Sequence, residues 1–210
     1  MRATGTARIA VLVAVAWGVL AWAGLPAASS GDRPREQSGR EAGWLFGEGQ
    51  VEVGLQLGGG ATLQHDPRSA SVFTVLPRVG RVVHEVRSDR AVPGSFEIVL
   101  QPGYLTVFQR RTAHVGGLAA LLKYNFRTDT RFTPFVEAGA GVSYGTITVP
   151  RGGTNFNFIL QTGIGLQYAI SDRHTVSAEW LYHHLSNADT SAHNPGLNAG
   201  LFLLGFSTMY

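Results

Sequence analysis

The chain has 210 residues, with 27 Gly, 11 Phe, 6 Tyr and 4 Trp but no Cys. The absence of cysteine excludes disulfide bonds, a thiol nucleophile and a cysteine metal site. The formal charge of +3 includes Arg2 and Arg8 of a predicted leader, so the rest of the chain is nearly balanced, which argues against a general nucleic-acid-binding protein.

The N-terminus has the layout of a secretory signal peptide. Arg2 and Arg8 lie around a short basic region, residues 9–25 are almost entirely apolar, and small residues follow. We predict a cleaved signal peptide over residues 1–30. An uncleaved membrane anchor is the alternative, because the apolar stretch is at the short end of the roughly 17–25 residues that span a bilayer.

The chain after the leader is long enough for one domain. Residues 31–45 are rich in Arg, Glu, Gly and Ser and have little to bury, so we expect a flexible lead-in. Residues 46–210 predict a single β-barrel domain.

Alternating polar and apolar residues, separated by Gly, Asp, Asn, Arg and Pro, indicate a transmembrane β-barrel. Eight strands are predicted, at approximately residues 48–57, 72–85, 94–109, 112–126, 131–148, 154–170, 173–186 and 197–210. An even number of antiparallel strands is typical of bacterial outer-membrane barrels, and closure leaves no free sheet edge. The third strand has an alternative, because Pro102-Gly103 would mark either a bulge or a turn that splits it.

The segment 154–170 shows the alternation most clearly. One face carries Phe156, Phe158, Leu160, Thr162, Ile164, Leu166 and Tyr168. Aromatic residues at both ends match the girdles found at the two membrane interfaces. The segments 134–144 and 201–210 repeat the pattern, and the final Tyr210 is typical of barrels that the outer-membrane assembly machinery recognises.

The predicted inward positions carry several polar residues, which we interpret as a structural network that fills a narrow lumen. They are Glu137, Gln161, Gln167, Glu179 and His183. Short turns such as 171–173 indicate that both termini are periplasmic. The end of the seventh strand then faces the cell exterior, at the outer-leaflet rim.

That strand ends in a motif with chemical potential. The residues Trp180-Leu181-Tyr182-His183-His184-Leu185-Ser186-Asn187-Ala188 place His184 and Ser186 two apart, so both side chains point to the mostly apolar face. In a membrane barrel this face is the outside, where the lipid lies. Two polar residues near a strand end are also common as interface residues without a catalytic role.

The sequence resembles the outer-membrane lipid A 3-O-deacylases, also called the PagL-like or acyloxyacyl hydrolase family. The resemblance depends on His184-Leu185-Ser186-Asn187-Ala188, on Asn194-Pro195-Gly196-Leu197-Asn198 and on the terminal strand, with support from the Gly-rich strand at 135–142. It implies an eight-stranded barrel that hydrolyses the 3-linked acyl ester of lipid A. It also implies that Ser186 is the nucleophile and His184 the general base.

The third member of the implied triad departs from the family pattern. The position of the family's acid is Asn198, and its parity matches the lipid-facing phase. An amide oxygen can still accept a hydrogen bond from histidine and select its tautomer, as in the Cys-His-Asn proteases. Asp189, in the following loop, is an alternative acid, whereas Glu179 faces inward and is not expected to act.

Other polar residues have two interpretations each. Asn187 would supply an oxyanion contact through its amide, or it only begins the loop. Arg110, Arg111 and Arg151 would pair with lipid A phosphates, or they are solvated loop charges. His183, His193 and Asp189 match no established metal spacing, so we predict neither a metal nor a cofactor.

The expected function is therefore an outer-membrane esterase that acts on lipid A in lipopolysaccharide, in a Gram-negative bacterium. Expected partners are lipopolysaccharide, the outer-membrane assembly machinery and, as an alternative to a monomer, a second copy of the chain; nucleic acid is not among them. The competing hypotheses are a non-catalytic structural or adhesive barrel and an esterase that acts on another lipid.

Overall fold

The computed structural model describes residues 44–63, 69–87, 92–149 and 152–210. The predicted signal peptide and residues 31–43 of the predicted lead-in lie outside these residues. Eight strands form a closed antiparallel barrel in which each strand pairs with its sequence neighbours and the first pairs with the last, as predicted. The strands are β1 (Val51–Thr62), β2 (Ser71–Val86), β3 (Gly94–Phe108), β4 (Ala113–Phe126), β5 (Phe132–Gly145), β6 (Phe156–Ala169), β7 (His174–Ser186) and β8 (Leu197–Met209). The described residues contain no helix with the length and apolar character needed to cross a membrane.

The first strand starts and ends later than predicted, because a run of glycines hides the alternation in its second half. A Cβ atom on Gly58 would lie 2.0 Å from the carbonyl oxygen of Phe202, and one on Gly60 would lie 1.9 Å from that of Gly200. Glycine is therefore required where β1 and β8 approach closely. This contact closes the barrel.

The third strand is continuous, so the alternative of a turn at Pro102-Gly103 is wrong. Pro102 pairs with Leu118 of β4, and the β3–β4 ladder runs through it without a register shift. The β2–β3 ladder lacks pairs between Val75 and Val79, around Pro77; it resumes in the same register and shifts only later, between Val82 and His84. Neither proline has an N–H to donate, which explains the gap.

The outer wall is an apolar belt, as the alternation predicted. Large exposed apolar residues on it are Leu55, Leu57, Phe73, Leu118, Leu122, Val136, Val142, Phe158, Leu160, Ile164, Leu166, Val176, Trp180, Phe202, Leu204 and Phe206. A continuous apolar wall of this kind is typical of a barrel that faces lipid.

The lumen is filled by paired charges and amides, and all five predicted inward polar residues are buried in it. Arg78 contacts Glu137 at 2.6 Å, and Lys123 contacts Glu52 at 2.7 Å. The amide of Gln56 donates to Glu179 at 2.7 Å. Burial of these charges without partners would be very unfavourable, so their pairing is a condition for the fold.

The side chains that fill the lumen change in character along the barrel axis, and apolar clusters lie at its two ends. Apolar side chains fill the half at the end of the barrel where β7 ends and β8 begins, among them Leu181, Leu185, Leu197 and Leu201. At the other end Phe46 is buried against Val82 and Met209. The barrel is therefore a packed body whose walls are supported from within.

Breaking the buried Arg78–Glu137 pair tests the structural role of the lumen network. Arg78→Leu leaves a buried carboxylate without its cation and is expected to lower the free energy of unfolding by about 3–5 kcal/mol. Urea titration of protein refolded in detergent, followed by tryptophan fluorescence and gel mobility, measures the loss.

The matched control is Arg87→Leu, because Arg87 forms a similar pair with Glu85 at 2.8 Å but lies exposed. Solvent screens that pair, so little change is expected. Equal destabilisation by the two substitutions would contradict a specific role for the lumen pair.

Candidate active site

The outer end of β7 presents three polar side chains on the lipid-facing wall. Tyr182, His184 and Ser186 are half-buried, whereas the alternating Leu181, His183 and Leu185 are buried in the lumen. This confirms the predicted faces of the strand. The three residues lie at the end of the barrel opposite the one where β1 begins and β8 ends, because Glu52 at the start of β1 pairs with Met209 at the end of β8.

His184 and Asn198 are brought together by the pairing of β7 with β8. They are direct cross-strand partners, and His184 Nδ1 lies 2.6 Å from Asn198 Oδ1. An amide oxygen only accepts, so Nδ1 carries the proton of this hydrogen bond. The second ring nitrogen, Nε2, then holds the lone pair in the neutral ring, which is the state required of a general base.

Tyr182 forms a hydrogen bond to the same acceptor atom. Its hydroxyl donates to Asn198 Oδ1 at 2.7 Å. The side-chain oxygen of Asn198, Oδ1, therefore accepts one hydrogen bond from the histidine and one from the tyrosine, which uses both of its lone pairs.

Ser186 lies on the same face as His184, two residues further along β7. Its other neighbour on the wall is Phe158 of β6, its direct cross-strand partner. Within the described residues no hydrogen bond joins the Ser186 hydroxyl to the His184 ring. Catalytic nucleophile and base pairs are often this loose until substrate binds.

At Gly196 the backbone passes close to the His184 ring. Its φ of 54° is in the left-handed region, and a Cβ added to it would lie 3.5 Å from His184 Cε1. A longer side chain at this position would extend toward the ring and would also be strained in backbone conformation. Glycine therefore suits the last residue before β8.

Asn187 organises the loop between β7 and β8. Its side-chain nitrogen donates to the carbonyl of His193 at 2.9 Å, and its side-chain oxygen accepts from the N–H of Asp189 at 3.0 Å. Its own N–H donates to the Asn194 side chain at 3.1 Å. These contacts describe the loop-beginning role of Asn187, while an oxyanion contact from its remaining N–H stays a prediction.

The loop begins with a tight turn. The N–H of Thr190 donates to the carbonyl of Asn187 at 3.1 Å, and the two central residues, Ala188 and Asp189, have φ angles of 50° and 59°. Two successive non-glycine residues in this region are unfavourable unless the surroundings hold them there. The buried Asn187 amide supplies that support.

Comparison with known proteins identifies the family. The family described as "Lipid A 3-O-deacylase (PagL)" matches residues 88–207, more than half of the chain. The chain belongs to this lipid A 3-O-deacylase family. The matched range includes the histidine, serine and asparagine described above, and no curated protein sequence matches the chain.

Solved structures support the same architecture. The crystal structure of the outer membrane enzyme PagL has a TM-score of 0.57 and 22% sequence identity, covering 73% of this chain and 97% of its own. The crystal structure of Neisserial surface protein A has a TM-score of 0.52 and 14% identity, covering 76% and 95%. Both likenesses establish an outer-membrane barrel fold, and PagL-family membership implies lipid A as substrate.

The two carboxylates considered as the acid of the PagL-family site, Asp189 and Glu179, form hydrogen bonds with residues outside that site. Asp189 is exposed in the loop and accepts from the Asn194 amide at 3.1 Å. Glu179 is buried in the lumen, as predicted, and contacts Gln56. The described hydrogen bond of the histidine Nδ1 goes to Asn198, so the contacts favour Asn198 over both.

The remaining polar candidates gain no assigned role in this deacylase-family barrel. Arg110 and Arg111 are exposed in the loop between β3 and β4, and Arg151 is outside the described residues. No group of three or more His, Asp or Glu residues among the described ones is placed to hold a metal ion.

The hydroxyl of Tyr182 is a site contact that the sequence reasoning missed. Strand alternation predicts only that Tyr182 lies on the apolar, lipid-facing side of β7. The cross-strand register supplies the missing signal, because Tyr182 lies diagonally opposite Asn198 once His184 is paired with it.

Replacement of Asn187 by alanine tests its role in the loop. The change removes two side-chain hydrogen bonds and leaves the His193 carbonyl without this donor, so a loss of about 1–3 kcal/mol in local stability is expected. Faster proteolysis within residues 187–196 would measure it.

Asn155→Ala is the control, because that asparagine also donates to a backbone carbonyl at the loop end, that of Gly145, at 2.8 Å. It should leave cleavage of the 187–196 loop unchanged. Unaltered proteolysis of folded Asn187→Ala would contradict the assigned role.

Proposed function

We propose that this protein removes the 3-O-linked acyl chain of lipid A by ester hydrolysis, with Ser186 as nucleophile, His184 as general base and Asn198 as the third member. The observation that supports this most directly is the 2.6 Å hydrogen bond between His184 Nδ1 and Asn198 Oδ1, beside a serine on the same face. Membership of the lipid A 3-O-deacylase family supplies the substrate.

The proposed reaction has two halves. Ser186 Oγ attacks the ester carbonyl carbon while its proton passes to His184 Nε2. The tetrahedral intermediate then collapses, the bond to the sugar oxygen breaks, and the imidazolium protonates that oxygen. In the second half, water gives a proton to the same nitrogen while its oxygen attacks the carbonyl carbon of the acyl-serine. The bond to Ser186 Oγ then breaks, the imidazolium returns the proton to that oxygen, and the fatty acid is released.

Asn198 supports this cycle by orientation rather than by charge. Its oxygen holds the Nδ1–H tautomer and leaves Nε2 ready to accept the serine proton. It carries no negative charge to stabilise the imidazolium that forms. Glu179, a buried carboxylate on the same strand as His184, is on the lumen side of the wall and pairs with Arg78 and Gln56.

The position of the site suits a substrate that lies in a membrane. His184 and Ser186 are on the lipid-facing wall, near its outer end if both termini are periplasmic. Export by the predicted signal peptide, residues 1–30, and insertion by the assembly machinery would deliver the site to the outer leaflet, where lipopolysaccharide is found.

Mass spectrometry of lipid A from cells that express the protein tests the proposed nucleophile. The wild-type chain should remove one 3-linked hydroxyacyl group, and Ser186→Ala should leave lipid A intact, because alanine cannot form the acyl-enzyme. Heat-modifiable gel mobility verifies that both proteins fold.

Ser171→Ala is the matched control. Ser171 also belongs to a serine–histidine pair, with its hydroxyl 2.8 Å from His174 Nδ1, but at the opposite end of the barrel. This variant should deacylate like the wild type. Intact lipid A in cells that express the folded wild-type protein would contradict the proposal and favour a non-catalytic barrel. Release of fatty acid from phospholipids alone would indicate another lipid substrate.

The role of Asn198 is tested with two substitutions. Asn198→Ala removes the acceptor for Nδ1 and should lower the rate by roughly 10²–10⁴-fold, the scale seen when a third member is lost. Asn198→Asp keeps an acceptor of the same size and adds charge, so it should retain activity. Equal loss in both variants, measured with purified lipid A in mixed micelles, would contradict a hydrogen-bonding role.

A further inference from the structure

The side-chain amide of Asn198 has an orientation problem that a carboxylate does not have. Both oxygens of a carboxylate accept hydrogen bonds, so either can face the histidine. The two ends of an amide differ, because the oxygen accepts and the nitrogen donates. A half-turn of the amide would present an N–H to His184 Nδ1 and place the ring proton on Nε2.

That reversed arrangement would prevent general-base catalysis. With a proton on Nε2, the ring has no lone pair available to the serine hydroxyl. The same wrong tautomer explains most of the roughly 10⁴-fold loss when the aspartate of a serine protease triad is changed to asparagine. A site that uses asparagine therefore needs a group that selects the productive amide orientation.

We propose that Tyr182 is a positioning residue that holds the Asn198 amide oxygen toward His184 and so selects the catalytic histidine tautomer. This inference depends on the proposed function of His184, Ser186 and Asn198. Its structural basis is the convergence of two donors on one oxygen, from His184 at 2.6 Å and from Tyr182 at 2.7 Å.

The chemistry of the phenol gives the selection its direction. A phenol O–H is a good donor, and it matches the amide oxygen in the observed orientation. After a half-turn the phenol oxygen would have to accept from the amide N–H, and a phenol oxygen is a poorer acceptor than an amide carbonyl. The tyrosine thus favours the orientation that also serves the histidine.

The fold brings the tyrosine to this oxygen without a separate element. Tyr182 is paired with Gly200, and Asn198 is two residues earlier on β8, on the same face. Diagonal neighbours of this kind are about 7–8 Å apart at their Cα atoms, which an aromatic side chain can span. Gly200, opposite Tyr182, has no side chain of its own, and a Cβ added there would lie 3.3 Å from Leu63 and 3.5 Å from Trp180.

The histidine tautomer is the direct readout. Protein with ¹⁵N-labelled histidine, refolded in detergent micelles at a pH where the ring is neutral, reports by long-range nitrogen–proton correlation which nitrogen carries the proton. Signals missing from His184→Gln assign that ring. We expect Nδ1–H in the wild type and a substantial Nε2–H fraction in Tyr182→Phe.

A second background separates positioning from packing. With Asn198→Asp both acceptor atoms are oxygens, so Tyr182→Phe should leave the Nδ1–H tautomer unchanged there. A ring that only packed against its neighbours would behave alike in both backgrounds. The same tautomer in the wild type and in Tyr182→Phe would overturn the proposal.

Deacylation rates give the functional counterpart. Tyr182→Phe should lower kcat by about 10–100-fold with little change in KM, a part of the triad effect. In the Asn198→Asp background the same change should cost less than about threefold, which is the signature of coupling between the two positions. Equal loss in the two backgrounds would overturn the positioning role.

Tyr104→Phe is the matched control. Tyr104 also lies on the outer wall near the loop end, and its hydroxyl is 2.8 Å from His114 Nδ1, away from the β7–β8 site. It should alter neither the His184 tautomer nor the rate.

The two proposals fail in different ways. Full deacylation by Ser186→Ala together with a tautomer shift in Tyr182→Phe would overturn the proposed function and retain the positioning role. Loss of activity in Ser186→Ala without that shift would do the reverse.

Discussion

The register between β7 and β8 is the constraint on which the candidate site depends. Barrel closure gives every strand two partners, so neither strand can slide without disturbing the whole ring. A slip of one residue would turn Asn198 into the lumen and bring a different residue opposite His184. The hydrogen bond between these two side chains is therefore specified by the barrel as a whole.

The filled interior supports that register. Arg78 and Lys123 neutralise carboxylates from other strands, and Leu181 and Leu185 pack behind the wall that carries the site. The inward and outward residues of β7 thus have separate tasks. The inward set secures the strand, and the outward set carries the candidate site residues on a rigid wall.

Much of this arrangement can be predicted from sequence because strand alternation assigns faces directly. It correctly placed His184 and Ser186 outside and His183 inside. It misjudged the end of β1, where glycines have no side chain to alternate. The contact of Tyr182 with Asn198 was not predictable from either strand alone, since it requires the register between them, and the loop contacts of Asn187 depend on a turn that alternation does not describe.

The position of the candidate site on the outer wall has a kinetic consequence for an enzyme of this family. A site on the lipid-facing wall meets molecules that diffuse within the same membrane leaflet. Encounter is then two-dimensional, so the rate follows the mole fraction of substrate in the surface rather than its concentration in solution. Neighbouring lipids that compete for the wall around Trp180 and Phe202 would act as diluents, and changes in membrane composition would tune turnover without any effector binding to the protein.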